Sequence, residues 1–269
     1  MPETLAAPLG GPPPPEIPLS NSPLVRVLAQ VVLPGILKIG MREEATKFQE
    51  EVRRAYPIFE EQSGAEVRIN LGAAMPILQS PNANSIWRFS DASREWRVSL
   101  APAAIALEAM AYRSRADFLR RWSEILEIVQ RMFEPQIAQR IGLRYLDQIT
   151  GDGFANIHTM IRSEMLGMTG ESTRRQVTHA VSEALLDAED ASVLLRWGIL
   201  PPNVVIDPNL MTPHADRSWV LDVDVFALGT RTFDHDALDG AFDVLANRAY
   251  AIFRYIVNDD FLSFYGASR

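Results

Sequence analysis

With 269 residues, 47% of them apolar and 22% charged, the chain has the composition of a globular protein, long enough for one large domain or two smaller ones, and not that of a disordered, collagenous or coiled-coil polypeptide. The 26 basic and 34 acidic side chains leave a net charge of -8, which disfavours nonspecific attraction to nucleic acid or anionic lipid. The lack of cysteine excludes disulfides, thiolate nucleophiles and cysteine-ligated zinc.

Residues 1–21 are rich in Pro, Gly and Ala with few large apolar groups, so a flexible arm is expected that cannot offset the entropy of its own ordering. The start lacks the basic and apolar regions of a secretory signal. The apolar stretch 24–39 is broken by Arg26, Gln30, Pro34 and Lys38 and falls short of the ~20 residues that span a bilayer. A cytoplasmic protein without a membrane segment is expected. Val25, Val27, Ala29 and Val31 recur at a spacing of two and predict a strand, stopped by Pro34 and Gly35. Met41, Ala45, Phe48, Val52, Ala55 and Phe59 then recur at three and four, the spacing of one helix face. Further strands are expected where Val67, Ile69 and Leu71 alternate with polar residues, where Trp87 and Phe89 flank Arg88, where Trp96, Val98 and Leu100 flank Arg97 and Ser99, and along 103–112. Ser114 with Asp117 three residues on predicts the capped start of a helix carrying Phe118, Trp122, Ile125, Val129 and Met132 to Pro135.

The second half repeats this order: a strand at 139–149, a helix at 154–166, strands at 177–186, 192–200 and 219–227, and a helix after Asp234 with Leu238, Phe242, Leu245, Ala249, Ile252 and Ile256 inward. The expected fold is α+β, two β-α-β-β-β-α units with mainly antiparallel sheet and helices packed on one face. The division expected is an arm at 1–21, a first unit at 22–135 and a second at 136–269, with one continuous domain as the alternative.

Three separated segments, NSPLVRVLAQVVLP (21–34), RIGLRYLDQI (140–149) and LANRAYAIFRYIVNDDFLSFYG (245–266), have Met165, Leu166 and Gly167 closing a short helix between the last two. Together they resemble a sporadically distributed prokaryotic protein family of unknown function, over nearly all of residues 21–266. The resemblance implies an architecture and no activity. Its members often carry His just after the leucine equivalent to Leu245; this chain has Ala246 there, so the resemblance implies no histidine function at that place.

Neither lysine, Lys38 nor Lys47, follows a glycine, so the phosphate-cradling G-x-x-x-x-G-K-[ST] loop is missing. Gly151 and Gly153 lack the third glycine of a dinucleotide fingerprint and read as a turn, and no G-x-S-x-G nucleophile elbow occurs. No catalytic residue and no cofactor is therefore assigned. Among His158, His179, His214 and His235, the best acidic neighbourhood is that of His235 with Asp234 and Asp236, and with Asp222 and Asp224 one strand earlier. Asp234 is better explained as a helix cap. A metal site of Asp222, Asp224 and His235 is kept as an alternative, the main expectation being no metal. Tyr145 and the five tryptophans read as core residues.

The pattern that points to function concerns arginine. Arg26, Arg68, Arg88, Arg97, Arg144 and Arg196 occupy polar positions of six predicted strands, so they project together from the sheet face opposite the helices, alongside Asp222 and Asp224. Planar guanidinium donors suit carboxylate or phosphate. The plain reading is a solvated face with weak cross-strand pairs. The sharper expectation is a non-catalytic interaction protein whose Arg-bearing face binds a macromolecular partner, a protein before all, a second copy of the chain included. One alternative is a metal-dependent enzyme or small-ligand receptor with a pocket between the halves. Another is a nucleic-acid-binding accessory factor of a defence or toxin-neutralising module, disfavoured by the net charge.

Overall fold

Alternating apolar and polar side chains build a single nine-stranded sheet in the computed structural model, which describes residues 9, 11, 13–62, 86–170, 172–173 and 175–267. In chain order the elements are β1 (Leu24–Val32), α1 (Arg42–Val52), β2 (Ile58–Gln62), β3 (Ile86–Ser90), β4 (Trp96–Ala101), β5 (Ala104–Ala109), α2 (Arg115–Phe133) and β6 (Ile137–Ile149). There follow α3 (Gly151–Met160), α4 (Ser163–Leu166), β7 (Ala180–Asp187), β8 (Ser192–Leu200), β9 (Ser218–Thr232), α5 (His235–Ile256) and α6 (Asp259–Phe264). The strand order is β2-β3-β4-β5-β1-β6-β9-β8-β7, so the fold is α+β with an antiparallel sheet and helices on one face, as the periodicities predict. Among the described residues no helix is long and apolar enough to cross a membrane.

The chain divides into two compact units, each discontinuous. The first comprises Met1–Arg26, Arg144–Val225 and Ala246–Arg269; the second comprises Val27–Leu143 and Phe226–Leu245. The divisions fall inside β1, β6, β9 and α5, whereas the boundary expected from the sequence, at 135/136, lies within the second unit.

In the second unit, Val27, Ala29, Phe89, Val98, Leu100, Ile105 and Leu107 are fully buried on the helix side of the sheet. Phe48 of α1 packs on Phe89 at 5.3 Å between ring centroids, Phe118 of α2 on Trp96 at 5.8 Å, and Trp122 of α2 meets the edge of Phe242 in α5 at 5.4 Å. Ser114 Oγ accepts from the Asp117 backbone N–H at 3.1 Å, the cap expected for α2. The helix expected to run on to Phe59 ends at Val52 instead. Pro57 has no backbone donor and biases Tyr56 against helical angles, so residues 58–62 leave as β2 and pair with β3, Phe59 opposite Phe89. The apolar run at 103–112 contains β5, whose Ala109 stands opposite Trp96 of β4 and Val27 of β1. The strand expected around Val67, Ile69 and Leu71 lies outside the described residues.

In the first unit, Phe261 of α6 meets Phe253 of α5 edge to face at 5.6 Å and packs tilted on Tyr265 at 4.7 Å. The described part of the segment expected to be a flexible arm is tied to this helical layer. The Ile17 backbone N–H donates to Tyr250 Oη at 2.8 Å, Tyr250 Oη donates to the Pro15 carbonyl at 3.2 Å, and Asn21 N–H donates to the Tyr265 carbonyl at 3.1 Å. A proline-rich segment has few donors of its own to satisfy, and here side chains of α5 and carbonyls after α6 supply the partners.

β7 and β8 pair from Ala180 opposite Ile199 to Asp187 opposite Ser192. Gly198 sits at φ +144°, and a Cβ there would collide with the Ala180 carbonyl oxygen. Gly198→Ala is expected to cost about 1–3 kcal/mol of stability, because both the backbone conformation and the close approach of β7 require the missing side chain. The shift of the urea or guanidinium midpoint measures it.

Candidate functional site

The strand alternation puts Arg144, Arg196, Asp222 and Asp224 on the sheet face of the first unit that carries no helix. The connection from β8 to β9 closes over that face. Its Leu210 and Met211 are buried, Asp207 has no exposed surface, and the Leu210 carbonyl accepts from Arg26 Nε at 3.1 Å. Arg144 lies beneath it, 4% exposed, and forms a planar fork with Asp222, Nε to Oδ1 at 2.7 Å and Nη2 to Oδ2 at 2.8 Å. Its Nη1 donates to Asp207 Oδ2 at 3.0 Å. Arg196 reaches the same Asp222 at 3.4 Å and donates from Nε to Glu183 Oε2 at 2.8 Å. Burial works against the charge of Arg144, and the attraction of Asp222, Asp224 and Asp207 outweighs it, holding the guanidinium above its ordinary range.

Arg144 is therefore not on an open surface. Its donors are satisfied within the chain, and Arg196 and Arg26 have partners there too. A buried guanidinium survives desolvation only when its geometry and partners are this complete. Arg144→Met or Asp222→Asn should each lower stability by about 3–5 kcal/mol by leaving a buried charge uncompensated. Arg144→Met combined with Asp222→Asn should lose less than the sum of the single changes. Equilibrium unfolding of the four proteins of this cycle checks both statements.

The face of the second unit carries the other two described arginines, and there the outcome differs. Arg88 of β3 stands opposite Ser99 and Glu60, and Arg97 of β4 stands opposite Ser90 and Glu108, so the two guanidinium groups are diagonal neighbours on one face. Glu108 Oε2 lies 3.9 Å from Arg97 Nη1, beyond hydrogen-bond reach, and Glu60 Oε1 is engaged by Arg94 Nη1 at 2.7 Å. The Nε atoms of Arg88 and Arg97 are both buried and, among the described residues, donate to no acceptor. Partial burial and the like charge of Arg97 hold Arg88 below its ordinary range. Arg68 lies outside the described residues.

Sequence reasoning missed two residues of these faces, Arg140 and Asp207, and one acid of the opposite side, Asp147. Arg140 precedes Arg144 by two alternations; its Nη1 donates to Gln30 Oε1 at 3.3 Å and its guanidinium lies 4.9 Å from the Phe226 ring. The residue between them in the same row is Gly142, where a Cβ would come within 2.5 Å of the Arg140 guanidinium. That arginine-glycine-arginine row was visible as a period of two. Asp207 had no such signal, since it sits in an irregular connection and acts only through tertiary contact. Asp147, three places after Arg144 in β6, alternates to the opposite side of the sheet.

The alternative metal residues fall apart in the structure. Asp222 is held by Arg144 and Arg196, while His235 begins α5 in the other unit, its backbone N–H donating to Gln130 Oε1 at 2.7 Å. Asp234 caps that helix, its Oδ1 accepting from Ala237 N–H at 2.9 Å. Among the described residues no group of three or more His, Asp or Glu side chains could hold a metal ion. His235 lines a shallow cleft of about 470 Å³ with Gln130, Glu127, Glu134 and Phe233. Comparison with known protein families, curated proteins and solved structures finds no match for this chain.

Asp147 of β6 is the unusual acid of the first unit. Burial and the negative charge of Asp222 push its carboxyl up to about 7, and burial together with Asp147 pushes the Tyr265 hydroxyl up to about 12. Gly153 makes room for that hydroxyl, since a Cβ there would overlap Tyr265 Oη. An acid whose folded pKa lies above its unfolded value of 3.8 favours the folded state most below pH 3.8. That contribution is lost as pH rises towards 7, at up to ~1.4 kcal/mol per pH unit. Asp147→Asn removes this slope, so the stability of the variant relative to the parent should rise between pH 4 and 7 and level off above. Unfolding curves across that range supply the test.

Proposed function

We propose that the protein acts by binding, and that the Arg88–Arg97 patch on the second unit's sheet face receives an acidic segment of a partner protein. The observation that supports this reading is the imbalance at that patch among the described residues: two adjacent, half-buried guanidinium groups, Arg97 with only a long 3.9 Å ion pair to Glu108, and two buried Nε donors without acceptors. A carboxylate lying over the sheet between the two guanidinium groups would supply acceptors to both and offset the burial and repulsion that hold Arg88 below its range. Arg144 of the first unit is no such acceptor-seeking group, because Asp222 and Asp207 already engage it.

An acidic partner also has to overcome the overall charge of -8, so recognition depends on this local patch rather than on long-range attraction. A fluorescein-labelled hexaglutamate peptide should bind saturably in fluorescence anisotropy, more weakly as salt rises. Arg88→Gln with Arg97→Gln should weaken it by about tenfold or more, the loss of a pair of charge-assisted hydrogen bonds. Arg53→Gln, on the exposed surface beside Glu50, should leave it unchanged. Equal binding by the parent and the Arg88/Arg97 variant would remove the proposal.

A further inference from the structure

The two edges of the sheet differ in kind. β2, at one end, is five residues long and carries Glu60 and Glu61, ion-paired with Arg94 at 2.7 Å and Arg42 at 2.6 Å. Short, charged edges of this sort resist pairing with another chain. β7, at the other end, is eight residues long with the sequence AVSEALLD, and it has no lysine, arginine or proline. Its Val181 and Leu185 are 38% and 54% exposed, and among the described residues no strand pairs with its outer side. The register with β8 puts Val181, Glu183 and Leu185 on one face, opposite Gly198, Arg196 and Leu194. The backbone groups on the outer side of such a strand, with apolar side chains beside them, form a template for an added strand.

We propose that β7 is a self-association edge: two copies of the chain pair β7 antiparallel to β7 about a two-fold axis at Glu183, so that Val181 of each copy faces Leu185 of the other. The choice of a second copy as occupant follows from the symmetry of the strand. An axis perpendicular to the sheet preserves its faces, so directly opposed residues must share one side of the pleat. An axis at Glu183 sets Val181 against Leu185 and Ala180 against Leu186, apolar against apolar on both faces. An axis one residue later, at Ala184, sets Val181 against Asp187 and Ser182 against Leu186, and loses both matches. The two glutamates on the axis do not meet as bare charges, because Arg196 Nε of the same copy holds each Glu183 carboxylate at 2.8 Å. This inference uses the first unit alone and stands or falls independently of the Arg88–Arg97 patch.

Sedimentation equilibrium of the full chain at micromolar concentration should show a dimer. Val181→Lys with Leu185→Lys should weaken its association by tenfold or more without changing the far-ultraviolet circular dichroism, whereas Arg88→Gln with Arg97→Gln should leave the dimer intact. The chain has no cysteine, which makes the register directly readable. A mixture of Val181→Cys and Leu185→Cys proteins should form an intermolecular disulfide on mild oxidation, and neither protein alone should do so. A monomer at all concentrations, a dimer indifferent to the two lysines, or single-cysteine proteins that cross-link as readily as the mixture would each overturn the proposal. So would a parent chain that stays monomeric while its β7 edge takes up a foreign strand.

Discussion

The fork between Arg144 and Asp222 is the interaction on which the first unit depends. Taking a guanidinium from water to a site 4% exposed costs several kcal/mol unless its donors find acceptors in the right plane. Asp222 on the neighbouring strand supplies two of these, and its place is set by the pairing of β6 with β9. The third comes from Asp207, in a connection without regular structure. The segment between β8 and β9 must therefore fold back over the sheet to complete the set. Asp207 also anchors its own turn, its Oδ1 accepting from Asn209 N–H at 3.1 Å and its carbonyl from the Leu210 and Met211 backbone. Leu210 and Met211 are thereby buried, so an electrostatic requirement at one arginine brings apolar cover to the face as a whole.

The same alternation has a different consequence in the second unit. Arg88 and Arg97 come from strands as regular as β6, yet among the described residues no carboxylate lies at hydrogen-bond distance from Arg97 and the Nε atoms of both find no acceptor. Arginines in equivalent positions of the pleat are thus tightly forked in one unit and, among the described residues, only loosely paired in the other. That is why the proposed function follows Arg88 and Arg97 while Arg144, the most strongly held cation, is excluded from it. Edge character follows the same logic: Glu60 and Glu61 guard β2, whereas the charge of Glu183 on β7 is cancelled by Arg196.

Much of the fold was legible because hydrophobic periodicity is a local property. The alternation in β1, β3, β4 and β8 and the three-four spacing along α2 and α5 lie within single segments, and the caps Ser114 and Asp234 stand where those patterns begin. The exception, residues 58–62, shows the limit of this reasoning. Phe59 fits both a helical and an extended pattern, and Pro57 together with the pairing partner Phe89 decides between them. The arm before residue 22 was read from composition, which says nothing of acceptors elsewhere; Tyr250 and the carbonyl of Tyr265 are supplied from the other end of the chain.

For the candidate site, the sequence by itself determined which face of each strand every arginine occupies, since alternate residues of an extended chain must point to opposite sides. It also determined that no cysteine chemistry and no glycine-rich phosphate loop is present. Only the tertiary structure decided which arginines are satisfied. Asp207 stands 63 positions from Arg144, and Asp222 stands 78, and no local pattern encodes a meeting at that distance. Whether a buried charge is neutralised depends on a few tenths of an ångström between such distant groups, because hydrogen bonding and desolvation are contact properties while periodicity is a property of the chain.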